Sequence, residues 1–128
     1  MLWAASLALP AVQIASSGQT YAGLDLLLGG FRAARAHVYA WYANPLFVVA
    51  ALLGAAGMAR AAGVLSAVAL LLGLSSFFAA DTARAAGMAV PQLDWRVGFY
   101  VWLAALAALC TWSWAYVACD RRRRRDEN

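Results

Sequence analysis

The chain is dominated by one uncharged stretch, VGFYVWLAALAALCTWSWAYVA at residues 97–118, which five consecutive arginines at 121–125 follow closely. A helix rises about 1.5 Å per residue and a bilayer core is about 30 Å thick, so about 20 apolar residues cross it. This stretch therefore predicts a transmembrane helix. Residues 61–80, AAGVLSAVALLLGLSSFFAA, meet the same criterion and predict another.

The composition of the whole chain agrees with a membrane protein. Of the 128 residues 65% are hydrophobic and 12% charged, and the mean hydropathy is +0.67. Soluble domains carry about 45–50% apolar and about 25% charged residues, so an ordinary soluble protein is excluded. The apolar content also excludes a disordered chain, and two cysteines are too few for a secreted disulfide scaffold.

Two further spans are predicted with less regular sequence. Residues 45–59 are apolar but too short alone, so the span is extended to 38–59, and we expect the helix to bend at Pro45. Residues 2–15 contain Pro10 and precede the loop sequence SSGQT at 16–20. They are either a retained first helix or a signal peptide, and the absence of a preceding basic residue favours the helix.

Together these stretches predict an all-α fold, an integral membrane helical bundle of about four transmembrane helices. An interfacial amphipathic segment lies between the first and second spans. The bundle is one domain, residues 1–118, and a basic tail follows at 119–128. Small residues spaced by four are expected to pack the helices closely. They are Ala51, Ala55 and Ala59, then Ala69 with Gly73, and Ala104 with Ala108.

The arginines predict the orientation of the bundle. Basic residues collect on the cytoplasmic side of membrane proteins, so the tail is expected in the cytoplasm together with the turn at Arg60. The loops 16–37 and 81–96 are then extracytoplasmic. All ten basic residues are arginine in an alanine-rich chain, which is typical of a GC-rich bacterial genome. We therefore expect a multi-pass protein of a bacterial inner (cytoplasmic) membrane.

The inventory of reactive side chains argues against most cofactors. His37 is the only histidine, and Cys110 and Cys119 lie about 13 Å apart along one helix, beyond disulfide reach. A haem held by two histidines, a zinc site of Cys and His, and a C-x-x-C redox pair are excluded, so no cofactor, no metal and no catalytic residue is predicted. The two best-defined spans lack ionisable residues, which disfavours ion-coupled transport. Their polar side chains, Ser75, Ser76 and Thr111, are expected to bond to carbonyls of their own helices.

The most individual stretch is GLDLLLGGFRAARAHVYAWYANP, residues 23–45. Residues 24–28 are too short to span and predict an interfacial or re-entrant segment. From Phe31 onward, helical spacing predicts an amphipathic helix in the headgroup region. His37 is the one side chain whose charge changes near neutral pH. The candidate binding residues are Asp25, Arg32, Arg35, His37, Trp41 and Asn44.

Within this stretch, LLLGG at 26–30 and AWYANPL at 40–46 resemble an uncharacterised group of small bacterial multi-span membrane proteins that carry a Trp-Tyr/Leu-Ala-Asn-Pro motif. The resemblance covers about 25 residues and implies an inner-membrane location but no activity. Asn44 is the position that it singles out. We expect its side chain to bond the backbone group that Pro45 leaves free.

The basic tail predicts contact with lipid. Clusters of four to eight basic residues beside a span bind anionic lipids with about 1 kcal/mol per residue. Membrane lipids are therefore expected partners and nucleic acid is not, although the net charge is +4. The headgroup-binding residues are Arg121, Arg122, Arg123, Arg124 and Arg125.

Three functions from different classes are compatible with the sequence. The favoured one is a non-catalytic accessory or interaction protein that binds a partner protein or lipid through its extracytoplasmic segment. One alternative is a holin-like or pore-forming homo-oligomer. The other is a membrane-surface enzyme or a lipid- or quinone-binding protein that uses His37.

Overall fold

The computed structural model describes residues 1–33, 39–85, 87 and 92–126, except for the side chains at 30–33, 79, 80, 82, 83, 93, 124 and 126. The fold is mostly helical, as predicted, but it also contains a small sheet that the all-α prediction lacked. In chain order the elements are α1 (Leu2–Ala8), β1 (Pro10–Ile14), β2 (Thr20–Ala22), α2 (Gly23–Ala33), a 3-10 helix (Tyr39–Tyr42), α3 (Ala43–Ala55), α4 (Ala59–Leu74), α5 (Ser76–Ala85), β3 (Leu93–Trp95) and α6 (Val97–Asp126).

Three apolar helices, α3, α4 and α6, pack side by side. Gly63 near the start of α4 faces Trp114, and Gly73 near its end faces Leu106, so α4 runs antiparallel to α6. Asn44 at the start of α3 bonds Trp102 and Gly54 at its end faces Trp112, so α3 runs in the same direction as α6. We call the end where α3 and α6 begin the sheet end, and the end where they finish the tail end.

Two helical stretches are long and apolar enough to cross a membrane. They are Ala59–Phe78, which consists of α4 and the start of α5, and Val97–Arg123 within α6. They include most of the predicted spans 61–80 and 97–118. A third apolar helix, Tyr39–Ala55, is shorter. Among the described residues no other helix is long and apolar enough to cross a membrane. The structure therefore shows two such helices there, and not the four spans that the sequence predicted.

Residues 2–15 are not one helix, contrary to the first predicted span. α1 ends at Ala8, Leu9 is extended with φ −92° and ψ 150°, and β1 begins at Pro10. Proline has no N–H to donate and disfavours helical geometry in the residue before it, so Pro10 ends the helix. The seven residues of α1 cover about 10 Å, much less than a bilayer core.

The sheet places β1 between β2 and β3, with both neighbours antiparallel to it. Two residues of β1 pair on both sides: Val12 pairs with Tyr21 and Trp95, and Gln13 pairs with Thr20 and Asp94. The predicted loop after residue 15 is a tight turn in which Gly18 adopts φ +69°, a conformation that suits glycine. The pairing of β1 with β3 therefore joins segments that are about 80 residues apart in the sequence.

α3 has proline in its first turn. The helix begins at Ala43, and the 3-10 helix Tyr39–Tyr42 leads directly into it. The change from 3-10 helix to α-helix therefore falls just ahead of Pro45, and the bend at Pro45 stays a prediction. A first-turn N–H has no acceptor within the helix, so proline is tolerated there.

The two predicted extracytoplasmic loops contain regular structure. The loop 16–37 holds β2 and α2, and residues 34–38 lie outside the described part, as does most of the predicted amphipathic helix. The loop 81–96 begins with helix, because α5 continues to Ala85, and it ends with β3. The basic tail is a continuation of α6, which extends to Asp126.

The small residues spaced by four were predicted to pack between helices, and only some of them do. Ala69 and Gly73 are buried, and a Cβ on Gly73 would lie 2.8 Å from Leu106 Cδ1. Ala104 and Ala108, however, are exposed. Ala51, Ala55 and Ala59 do not share one helix as predicted, because α3 ends at Ala55 and Ala59 begins α4. Ala51 is half-buried and Ala55 is exposed, whereas the fully buried positions of α3 are Ala43 and Ala50. The spacing of small residues thus indicated close packing but not which face packs.

The glycines of α2 allow a test of how α1 docks. A Cβ on Gly23 would lie 2.4 Å from the backbone oxygen of Ser6, whereas a Cβ on Gly29 of the same helix would meet nothing within 4 Å. We expect Gly23→Ala to lower the free energy of unfolding by about 1–3 kcal/mol, because backbone must move. Gly29→Ala is the matched control and should be neutral or slightly stabilising. Reversible unfolding in mixed micelles, followed by circular dichroism, measures both, and equal stabilities would contradict the docking.

Candidate functional site

Asn44 joins three helices at the sheet end. Its Oδ1 accepts hydrogen bonds from the indole N–H of Trp102 at 2.9 Å and from that of Trp3 at 3.3 Å. The first indole belongs to α6 and the second to α1, while Asn44 stands in the first turn of α3. Trp3 also stacks on Phe47 of α3, with ring centroids 5.7 Å apart. One amide thus holds two helices against a third.

The nitrogen of the same amide bonds a backbone carbonyl that Pro45 leaves without a donor. Asn44 Nδ2 donates to the carbonyl of Trp41 at 3.4 Å. That carbonyl lies four residues before Pro45, which has no N–H to offer it. The expected local role of Asn44 is therefore confirmed, and its contact with two distant tryptophans is an additional finding.

Trp41 connects this junction to α2. Its indole N–H donates to the carbonyl of Leu27 at 2.8 Å, and its ring meets Tyr42 edge-on. Three leucines of α2 nevertheless remain exposed, by 47%, 39% and 66% at Leu24, Leu26 and Leu28. The tryptophan of the Trp-Tyr-Ala-Asn-Pro sequence thus holds a helix whose apolar side chains are open to the surroundings.

The remaining predicted site residues are not gathered around these two. Asp25 Oδ2 accepts from the N–H of Ala22 at 3.0 Å, which is half of a capping box at the start of α2. Arg32 belongs to α2, but its side chain is outside the described set. Arg35 and His37 lie outside the described residues. The structure therefore brings together Trp41 and Asn44 and gives Asp25 a capping role.

A second polar group ties the sheet together. Gln13 Oε1 accepts a hydrogen bond from Arg96 Nη2, and Gln13 Nε2 donates to the carbonyl of Gly18 at 2.9 Å. The backbone N–H of Arg96 donates to the carbonyl of Ala11 at 2.8 Å. Sequence reasoning placed Arg96 on this side of the protein but missed Gln13 as its partner, since nothing local indicates that strands β1 and β3 pair.

Aromatic rings fill the space between the sheet and α6. Phe99 is 4% exposed, and Trp95 stacks on it with centroids 4.1 Å apart. Phe77 approaches the same ring edge-on at 5.3 Å. The aromatic residues around the start of α6 thus form a packed cluster with Phe77 of α5.

Among the described side chains no group of three His, Cys, Asp or Glu is placed to bind a metal ion. Every buried polar side chain in this part of the chain has a hydrogen-bond partner. Ser75 and Thr111 bond to carbonyls of their own helices, as predicted. The exposed leucines of α2 make the sheet end a candidate binding surface.

Comparison with protein-family models, with curated proteins and with solved structures gives no match. The functional proposal therefore rests on the geometry of the chain itself.

The junction at Asn44 predicts a defined loss of stability. Asn44→Ala leaves two indole N–H groups and one carbonyl without their partner, and each buried unsatisfied group costs about 1–3 kcal/mol. We expect a decrease of about 2–4 kcal/mol in the free energy of unfolding, since the groups are only partly buried. Thr111→Ala is the control, because that hydroxyl bonds only within α6. Tryptophan fluorescence during unfolding in micelles measures both, and equal effects would argue against the junction.

Proposed function

We propose that this chain is a small multi-pass protein of a bacterial inner membrane. In this proposal it acts as a non-catalytic accessory protein, and the sheet end binds a partner protein or lipid on the extracytoplasmic side. The exposed leucines of α2, held in place through Trp41, are the observation on which the proposal depends.

The exposure of the long helices supports a membrane location. Only 33% of the apolar window in Ala59–Phe78 and 22% of that in Val97–Arg123 is buried inside the protein. The core helix of a soluble protein would be mostly buried. Large side chains such as Val64, Val68 and Leu71 point outward with 54%, 41% and 67% exposure. A hydrocarbon surrounding accounts for so much exposed apolar surface.

The length of α6 supports the orientation. Its 30 residues cover about 45 Å, about 15 Å more than a bilayer core. The surplus falls on the arginine cluster (121–125), whose consecutive helical positions point to every side of the helix. Arg121, Arg122, Arg123 and Arg125 are exposed. The positive-inside rule then favours a cytoplasmic tail end, and anionic headgroups are its expected contacts.

The leucines of α2 support a binding role for the opposite end. Leu28 at 66% exposure is as open as Leu71 at 67%, but it belongs to an eleven-residue helix beside the sheet. Asp25 and the paired Arg96 and Gln13 supply polar groups at the same end. Exposed apolar surface with a polar rim is typical of sites that bind proteins or lipids.

The proposed orientation is testable by cysteine labelling in intact cells. In a Cys110→Ala background, a membrane-impermeant maleimide should label Ser17→Cys in the turn of the sheet. The native Cys119, exposed at the tail end, should react only after the membrane is permeabilised. Labelling of Cys119 from outside the cell would reverse the orientation, and labelling of both sites in intact cells would contradict a membrane-spanning chain.

The binding role is testable by photo-crosslinking. A diazirine side chain at position 28 should give a discrete, saturable adduct with one protein or one lipid class, because α2 is held against the junction. Position 71, equally exposed, is the control and should give only adducts that match the bulk lipid composition. Trp41→Phe removes the indole N–H to Leu27 and should weaken the discrete adduct. Identical adducts at both positions would refute a specific surface at α2.

A further inference from the structure

The two long apolar stretches reach their limits at one level of the sheet end. The stretch Ala59–Phe78 finishes there and the stretch Val97–Arg123 begins there. Phe77 of the first meets the ring of Phe99 of the second, with centroids 5.3 Å apart. In the proposed orientation this is the level at which the hydrocarbon core gives way to the extracytoplasmic headgroups. We call it the boundary level.

α1 lies beside the first turns of α6, on the bilayer side of the boundary level. A Cβ on Gly98 would lie 2.8 Å from the backbone oxygen of Leu9, the residue that follows α1. Near the other end of α1, Trp3 shares the Asn44 oxygen with Trp102, which lies about 6 Å further along α6 than Gly98. In the described part of the chain, α1 is therefore a fourth helix that accompanies the bundle only in the leaflet at the sheet end.

α2 lies across the bundle at the boundary level. The N–H of Gly23, its first residue, donates to the carbonyl of Leu9 at 3.1 Å, and the same carbonyl oxygen is the one that approaches Gly98. One turn further along α2, the carbonyl of Leu27 accepts from Trp41, in the 3-10 helix that precedes α3. Two points on α2 thus contact groups at the level where α3 and α6 begin. The helix consequently runs along the membrane surface and not through the membrane.

The exposed leucines of α2 fit this position. Leu24 and Leu28 are four residues apart and share one side of the helix, with 47% and 66% exposure. Interfacial helices insert their apolar side about 5–10 Å into the boundary between headgroups and acyl chains. The 11 residues of α2 cover about 16 Å, so the helix displaces lipid over that length in one leaflet.

The bundle is narrower in the leaflet at the tail end. A Cβ on Gly54 of α3 would lie 3.0 Å from Trp112, and one on Gly63 of α4 would lie 3.2 Å from Trp114, so three helices meet there. Beyond them, the described residues comprise only the turn at Gly57 and the continuation of α6. The protein therefore occupies more membrane area in the leaflet at the sheet end than in the leaflet at the tail end.

We propose that α1 and α2 form a wedge in the extracytoplasmic leaflet, and that the chain for this reason prefers membrane that is convex on the extracytoplasmic side. A membrane curved in this way has more area in its convex leaflet than in its concave one, so it accommodates the two extra helices with less compression of the lipids. Membrane binding of interfacial helices depends on curvature for the same reason. The partner of the exposed leucines is then the lipid of one leaflet.

This inference rests on the membrane location and orientation in the proposed function. Of the two kinds of partner proposed for the leucines of α2, it selects lipid, and a protein partner becomes an outcome of the test. The wedge acts through the area that it occupies, so it requires no specificity for one lipid headgroup.

Sorting between flat and tubular membrane tests the proposal. The full chain is reconstituted into giant vesicles of phosphatidylcholine and phosphatidylglycerol, and a membrane-impermeant fluorescent maleimide labels cysteines that face outside. Ser17→Cys in a Cys110→Ala and Cys119→Ala background reports chains with the sheet end outside. The native Cys119, in the Cys110→Ala background, reports chains with the tail end outside. A tube is then pulled from each vesicle, and its outer leaflet is convex.

The two labelled populations should sort in opposite directions. We expect about a twofold enrichment in the tube, per unit of membrane area, for chains with the sheet end outside. Chains with the tail end outside should be depleted, because their wedge lies in the concave leaflet. Equal partitioning of the two populations, or the reverse order, would overturn the proposal. Since no other protein is present, that result would leave the leucines of α2 to a protein partner.

A double variant assigns the sorting to α2. Leu24→Ala combined with Leu28→Ala removes the exposed leucines and should reduce the enrichment of chains with the sheet end outside. An unchanged enrichment would refute the role of α2. Circular dichroism and tryptophan fluorescence confirm that the variant is folded.

The matched control is a double variant of α4. Val68→Ala combined with Leu71→Ala removes side chains of nearly the same exposure, 41% and 67%. Gly73 of the same helix faces Leu106, about 14 Å along α6 from Val97, so these side chains lie near the middle of the bilayer. The control should keep the enrichment, and an equal loss in both double variants would contradict a wedge at the boundary level.

The outcomes separate this inference from the proposed function. Failure of the cysteine labelling in cells contradicts the membrane orientation. Identical photo-adducts at positions 28 and 71 contradict a specific binding surface. Correct labelling in cells without opposite sorting in the vesicles contradicts the wedge alone.

Discussion

The structure of the sheet end depends on one amide side chain in an apolar environment. Asn44 has two hydrogen-bonding functions, and it uses the oxygen for Trp3 and Trp102 and the nitrogen for the Trp41 carbonyl. A buried polar group without a partner is costly, so each of these groups constrains the others. α1, α3 and α6 consequently meet at one point, although Asn44 lies 41 residues after Trp3 and 58 residues before Trp102 along the chain.

This junction explains why the two ends of the protein differ. Around Asn44 the chain builds short elements on top of the long helices: α1, the sheet, and α2 through the bond of Trp41 to Leu27. At the tail end only a tight turn at Gly57, with φ +80°, joins α3 to α4, and α6 simply continues into its arginines. We therefore expect partner binding at the sheet end, where distant segments of the chain contact one another. We expect contact with lipid headgroups at the tail end, where the arginines lie.

Predictions from the sequence were more accurate for features of neighbouring residues than for contacts between residues far apart in the chain. Uncharged length identified the helices at 61–80 and 97–118, because crossing a bilayer depends on local hydropathy alone. The local partner of Asn44 also followed from its position beside Pro45. By contrast, 2–15 was predicted as one helix although Pro10 turns it into a strand, and the exposed Ala104 and Ala108 were expected to pack. The candidate site was found in part, since Trp41 and Asn44 are joined while Asp25 caps a helix.

The sequence by itself determined the helical character, the apolar stretches of spanning length and the place of the basic cluster. These are properties of consecutive residues, and hydrophobic transfer and charge act on them without knowledge of the rest of the chain. Only the tertiary structure decided that Gln13 pairs with Asp94 and Arg96, that Trp3 and Trp102 share one amide oxygen, and that Leu9 contacts both α2 and α6. Strand pairing and helix contact depend on which distant segments meet, and no local pattern of residues encodes that choice.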